Sequence, residues 1–125
     1  MQTIILIALR QPVAELLTQK LRGVPDVRLI CEPDYIKFSD AISTYGADTA
    51  LIEAKETGEH KVAYCLSLCE RMRMETPECR ALLLCPEQDA PGVSMAMEAK
   101  RDGRIDDFLF YNATTDYITS KLLAM

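Results

Sequence analysis

Five cysteines and a single histidine are the side chains of this 125-residue chain with the most obvious capacity for chemistry. Cys65 and Cys69 stand at i and i+4, so a helix would put both thiols on one face, which suits a metal ion. The remaining ligands are missing: there is no CxxC pair, and His60 falls one turn too early to complete a zinc set. Cys85 closes an apolar run and is the cysteine placed to act as a nucleophile or redox sensor. A thiolate needs a base or a positive neighbour to form near neutral pH. Arg10 is the candidate neighbour, His60 belongs to another loop, and no triad is evident. Neither GxGxxG nor a P-loop pattern occurs, so nucleotide hydrolysis and dinucleotide binding lack their phosphate cradle. The segment LRQP also lacks the Ser/Thr-rich phosphate nest that a flavin mononucleotide site wants. No cofactor or metal is expected.

The elements that would position these groups follow from composition and periodicity. The chain is 49% hydrophobic and 26% charged, enough to bury a core. Its net charge of −5 argues against direct nucleic-acid binding or an anionic membrane surface. No apolar run approaches the roughly 18–20 residues of a membrane span. The N-terminal residues lack the basic region and cleavage site of a secretory signal, so a cytoplasmic location is expected. There the odd set of cysteines, Cys31, Cys65, Cys69, Cys79 and Cys85, reads as reduced, buried thiols.

Thr3 to Leu9 is a nearly continuous apolar run, as in a strand buried on both faces of a parallel sheet. Pro12 opens a helix with Val13, Leu16, Leu17 and Leu21 on one face, ended by Gly23. Val27 to Cys31 alternates more and reads as a strand nearer an edge. Phe38, Ala41, Ile42 and Tyr45 mark a second helix, stopped by Gly46. Thr49 to Ile52 is a third strand, and Lys55 to Glu59 is polar loop with His60 at the start of the next helix. Val62, Cys65, Leu66, Cys69 and Met72 share one face of that third helix, which favours a core role for the cysteine pair. Ala81 to Cys85 is a fourth strand, and Val93 to Lys100 a fourth helix closed near Gly103. Asp107 to Tyr111 is a fifth strand, and a last helix is capped by Thr114 or Thr115. The sequence therefore predicts one α/β domain over 1–125. Its fold would be a doubly wound, five-stranded parallel sheet with helices on both faces, a (βα)5 flavodoxin/CheY-like architecture. Such a sheet works beyond the carboxyl ends of its strands. That directs attention to Leu9–Gln11, Glu53–Glu56, Cys85–Glu87 and Tyr111–Asn112.

Three stretches carry a family resemblance across the whole chain: IILIALRQPVAELLTQKL, ADTALIEA and AKRDGRIDDFLFYN. Together they resemble the response-regulator receiver domain. The second is similar to the receiver stretch PDLVLLD that ends in the phosphoacceptor aspartate. The third is similar to AGADDYLTKP, with one extra residue after Gly103. The resemblance also shows what is missing. The Mg²⁺-binding acidic pair is replaced by Leu9 and Arg10, and the phosphoacceptor by Glu53. The hydroxyl residue ending the fourth strand is replaced by Cys85, the lysine ending the fifth by Tyr111, and the proline after it by Asn112.

Mg²⁺ needs hard oxygen ligands in a near-octahedral array, which leucine and arginine do not supply. Glu53 is one methylene longer than aspartate, and about 1 Å of misplacement can cost on the order of a hundredfold in rate. Without the lysine and hydroxyl, nothing holds a phosphoryl oxygen. The resemblance thus implies a pseudo-receiver: not an enzyme, but a phosphorylation-independent signalling domain locked in one state by an Arg10–Glu53 pair, with Lys55 competing for Glu53. Its partner would be another protein or a fused output domain, in two-component-type signalling or transcription regulation. In receivers the face of the fourth helix, fifth strand and fifth helix mates with a partner or a second copy. Here that face implies Phe108 as switch aromatic and Met95, Met97, Ile118 and Leu122 as interface candidates, although each methionine also fits a core role. The rival expectation is a small α/β enzyme or redox sensor using Cys85 or Glu53 at the same edge.

Overall fold

The computed structural model describes residues 1–124. The strands are β1 (Gln2–Ile7), β2 (Val27–Glu32), β3 (Thr49–Glu53), β4 (Arg80–Cys85) and β5 (Asp107–Phe110). They alternate with helices α1 (Gln11–Arg22), α2 (Phe38–Tyr45), α3 (Val62–Glu75), α4 (Ala90–Arg101) and α5 (Thr115–Leu123), and a short 3₁₀ turn, Tyr35–Lys37, precedes α2. All neighbouring strands are parallel, in the order β2-β1-β3-β4-β5. This is the doubly wound sheet expected, with β2 at one edge and β5 at the other.

Side chains alternate across a strand, so the central strands divide their apolar residues between two cores. Ile5, Ile7, Ile52 and Leu83 pack with α2, α3 and α4 residues such as Phe38, Cys69 and Ala96. Ile4, Leu6, Leu51, Leu82 and Leu84 pack on the other face with Leu17, Leu21, Ile118 and Leu122 of α1 and α5. Gly46 ends α2 with φ +61°, a left-handed turn that a side chain would strain. Gly92 sits where Asp89, the cap of α4, folds back: an added Cβ would lie 2.3 Å from the Asp89 carboxylate. That cap starts α4 at Ala90, three residues before the periodicity suggests. Thr114 caps α5 by accepting the Tyr117 N–H at 3.1 Å.

Several expectations are corrected. Leu9 and Tyr111 lie beyond their strands. Ala8 turns out of β1 with φ +57°, and an Ala113 N–H to Phe110 carbonyl bond turns the chain after β5. Leu16 is 51% exposed, because the buried stripe of α1 runs through Leu17 and Leu21 with Val13 packed alongside. Tyr45 is likewise exposed, at the end of α2. Ile118 and Leu122 are fully packed against the α1-side core, so neither offers a surface to a partner. The methionines reverse the other way. Gly92, Ala96 and Ala99 fill the buried side of α4 and leave Met95 and Met97 exposed rather than in the core. Cys31 is exposed, while the other four cysteines are buried and free.

Candidate functional site

The strand order turns at β1 and β3, whose connections leave to opposite faces, and Glu53 ends β3 at that point. Its side chain is fully buried. A carboxylate in such a place needs compensation, since stripping its water costs several kcal/mol. Three donors supply it. The Arg10 backbone N–H reaches Oε1 at 3.0 Å, because the left-handed turn at Ala8 swings the start of α1 over the end of β3. The Arg10 Nε reaches Oε2 at 3.2 Å. The Lys55 ammonium reaches the same oxygen at 2.5 Å and also donates to the Ala8 carbonyl at 2.9 Å.

The Arg10–Glu53 pair expected from the sequence is therefore present, and Lys55 shares the carboxylate rather than displacing Arg10. The two cations are only partly covered, with 47% of the Arg10 side chain and 32% of the Lys55 side chain exposed. Partial burial works against the Arg10 charge, but its bond and attraction to Glu53 outweigh this and raise its pKa above the ordinary value. Its guanidinium lies over the Tyr111 ring, 4.3 Å from the ring centre. Burial, and the negative charge of Glu53, push the Tyr111 hydroxyl up from its usual pKa.

Behind the carboxylate is a residue that spacing alone did not single out. Tyr35, on the turn after β2, donates its hydroxyl to the backbone carbonyl of Glu53. Asp34 caps that turn by accepting the Ile36 N–H at 2.9 Å, which aims Tyr35 inward. His60 does not start a helix. It lies in the loop before α3, with its ring stacked on Tyr35 at 4.2 Å and edge-on to Tyr64 at 4.9 Å. The Lys55 N–H bonds the His60 carbonyl at 2.7 Å, so the polar loop closes on itself beside the site. The only sequence signal for Tyr35 was the Pro-Asp turn before it.

Cys85 ends β4 beneath the surface, with its thiol near the Pro86 carbonyl at 3.8 Å. Burial, reinforced by Asp89, pushes its pKa up to about 11. That is the opposite of what a nucleophile requires. Cys65 and Cys69 point into the α3-side core, where burial raises both thiols, Cys65 to about 12. Among the described residues no three His, Cys, Asp or Glu side chains cluster as metal ligands. Phe108 is half-buried, packed on the α3-side core and edge-on to Phe110 at 5.8 Å.

No protein-family model matches the chain, and no curated protein matches it. Solved structures do. The chain is similar to the signal receiver domain of an HD domain-containing protein from Pseudomonas fluorescens Pf-5 (TM-score 0.76, 17% identity, 97% of this chain and 83% of that one). It is similar to the CheY-like protein TadZ from Pseudomonas aeruginosa PAO1 (TM-score 0.69, 16% identity, 97% and 96%). It is also similar to the isolated receiver domain of RcsB from Salmonella enterica serovar Typhimurium (TM-score 0.75, 13% identity, 98% and 86%). Identities this low carry the fold alone, and the fold is that of CheY-like receiver domains.

Proposed function

We propose that the chain is a pseudo-receiver: a single receiver-like signalling domain over 1–125 that works through protein–protein contact, independently of phosphorylation. The observation that carries this reading is the state of Glu53. Its carboxylate stands at the carboxyl edge of the central strand but is wholly buried, and both its oxygens are committed to Arg10 and Lys55. A phosphoacceptor must present a free oxygen in line with the donor's phosphorus.

The residues present do not fit the Mg²⁺ that receiver chemistry uses. The edge of β1 offers Leu9, which packs into the α1-side core, and Arg10, a cation. A divalent ion there would have to displace two positive charges to reach one carboxylate. The Lys55 ammonium already bridges Glu53 and the Ala8 carbonyl, doing the electrostatic job of a bound cation without a binding equilibrium.

A cytoplasmic location in two-component-type signalling or transcription regulation accords with this reading, as does a partner protein or fused output domain. With Ile118 and Leu122 buried, Met95, Met97 and Phe108 remain the residues of the α4–β5–α5 face to test for such a contact or for a homodimer. The rival reading, an enzyme or redox sensor built on Cys85 or Glu53, finds no support in a deeply buried thiol of raised pKa and a fully paired carboxylate.

The test is a two-dimensional amide NMR spectrum of the chain with and without Mg²⁺ and beryllofluoride. Unmoved resonances at Leu9, Arg10, Glu53 and Cys85 are expected. Saturable shifts clustered at those residues would sink the proposal.

A further inference from the structure

Strand β2 is an edge strand, and its backbone parity shows which groups it leaves open. Gln2 N–H bonds the Asp26 carbonyl and Ala8 N–H bonds the Glu32 carbonyl, so the even-numbered residues of β2 face β1. In a pleated strand, alternate residues point the other way. Val27, Leu29 and Cys31 therefore turn their N–H and C=O groups outward. Among the described residues, no other strand pairs with them. The same three residues place their side chains on the α1 face of the sheet. Val27 and Leu29 pack against that core, while Cys31 is exposed.

A groove of about 430 Å³ lies there, between α1 and the upper half of β2. Its floor is apolar, from Leu6, Leu9 and Ala14. Its charges are ordered along its length. Glu15 near the start of α1 marks the end nearer the carboxyl edge, and Arg22 at the last turn of α1 marks the other; the Glu32 side chain leaves the α1 face by the same parity and accepts the Asp34 N–H at 2.9 Å.

We infer that this edge and groove bind an extended segment of a partner protein, added as a sixth strand beside β2. The open N–H and C=O groups supply backbone pairing, and the groove selects side chains at alternate positions. The charge order commits the occupant's chemistry. It carries a lysine or arginine against Glu15, an apolar side chain two residues away over Leu6 and Ala14, and a further acidic residue toward Arg22. The groove adjoins the Glu53 site at Leu9 but contains none of the groups that bond Glu53, it lies apart from the α4–β5–α5 face, and the inference does not depend on the function proposed above.

The experiment uses the full chain and two capped synthetic peptides, Thr-Lys-Thr-Leu-Thr-Glu and, with its Lys and Glu exchanged, Thr-Glu-Thr-Leu-Thr-Lys, which test antiparallel and parallel addition. Each is titrated to about 1 mM, the range of weak peptide capture, while amide shifts and the rate of Cys31 alkylation are followed. One peptide should shift the Val27, Leu29 and Cys31 amides and slow alkylation of Cys31. Charge reversal by Glu15→Lys with Arg22→Glu, both exposed, should weaken that binding about fivefold, the scale of exposed ion pairs. These substitutions lie on the surface, and an unchanged far-UV spectrum would show that the fold survives. Three results would each overturn the inference: no shift with either peptide, shifts indifferent to charge reversal, or Cys31 protection that rises with the chain's own concentration and tracks a dimer in sedimentation equilibrium. The last would assign the edge to a second copy.

Discussion

Replacing Lys55 by methionine tests the electrostatics of the Glu53 site directly. The substitution keeps most of the side chain's length and apolar stem but removes the ammonium that sits 2.5 Å from a carboxylate with no exposed surface. Stripping a buried charge of all its partners costs roughly 3–5 kcal/mol. Glu53 would keep the Arg10 N–H and Nε, two of its three donors, so the loss should approach that of one charged hydrogen bond, about 2 kcal/mol. Water reaching the vacated position, a third exposed in the wild type, keeps the figure from rising further.

Urea unfolding followed by far-UV circular dichroism suits a chain without tryptophan. The midpoint should fall by about 1 M, for a slope of roughly 1–3 kcal/mol per molar urea. The melting temperature should fall by about 8 °C, at roughly 4 °C per kcal/mol for a domain between the small and mid-sized classes. The double-mutant cycle with Glu53→Gln is the decisive control. In that background Lys55→Met should cost only about 1 kcal/mol, because the charge it served is gone and only its bond to the Ala8 carbonyl is left to lose. Raising salt should restore little of the difference, since the Debye length is still about 3 Å at 1 M while the contact is desolvated. A cost for Lys55→Met that is the same in both backgrounds, or near zero in the wild type, would refute the claim that the ammonium compensates Glu53.

The cysteines give a second check: iodoacetamide near neutral pH should label Cys31 rapidly and leave Cys65, Cys69, Cys79 and Cys85 unmodified in the folded chain. Burial holds Cys85 up to about 11 and Cys65 and Cys79 up to about 12, so rapid labelling of Cys85 at neutral pH would contradict the structure. Tyr35→Phe removes the hydroxyl that the Glu53 carbonyl accepts and should cost about 1–2 kcal/mol in the same urea assay; a neutral substitution would show that the bond contributes nothing. At Asp107 desolvation pushes the pKa up, but hydrogen bonds from Lys100 and Lys121 win and hold it below the usual carboxylate value. A depressed folded pKa means the contribution is complete above the unfolded value, near 4, and is lost as pH falls through the folded one. Asp107→Asn should therefore flatten the acid limb of a stability-versus-pH curve below about pH 4, and an unchanged limb would exclude this residue as its source.

What the sequence determined by itself was the architecture. Short apolar runs alternating with helical stripes leave few ways to bury both, and the parallel five-stranded sheet follows from that pattern. The α3 stripe placed Cys65 and Cys69 in the core because its helical period is long and regular. The resemblance to receiver domains, laid over the residues at the strand ends, was also enough to expect a carboxylate paired to arginine there. Only the tertiary structure decided how that charge is held. The Ala8 turn, the closure of Lys55 back onto Glu53 and Ala8, and the reach of Tyr35 from the loop after β2 join residues far apart in the chain, and no local periodicity encodes them. The same holds for α4 and α5, where apolar residues at similar spacing went opposite ways. Ile118 and Leu122 are buried because α5 packs beside α1 over the central strands, while Met95 and Met97 stay outside because Gly92, Ala96 and Ala99 let α4 lie close on the other face. Helix pattern sets which residues can share a face, but the direction that face takes depends on the neighbour's shape, a property of the assembled layers.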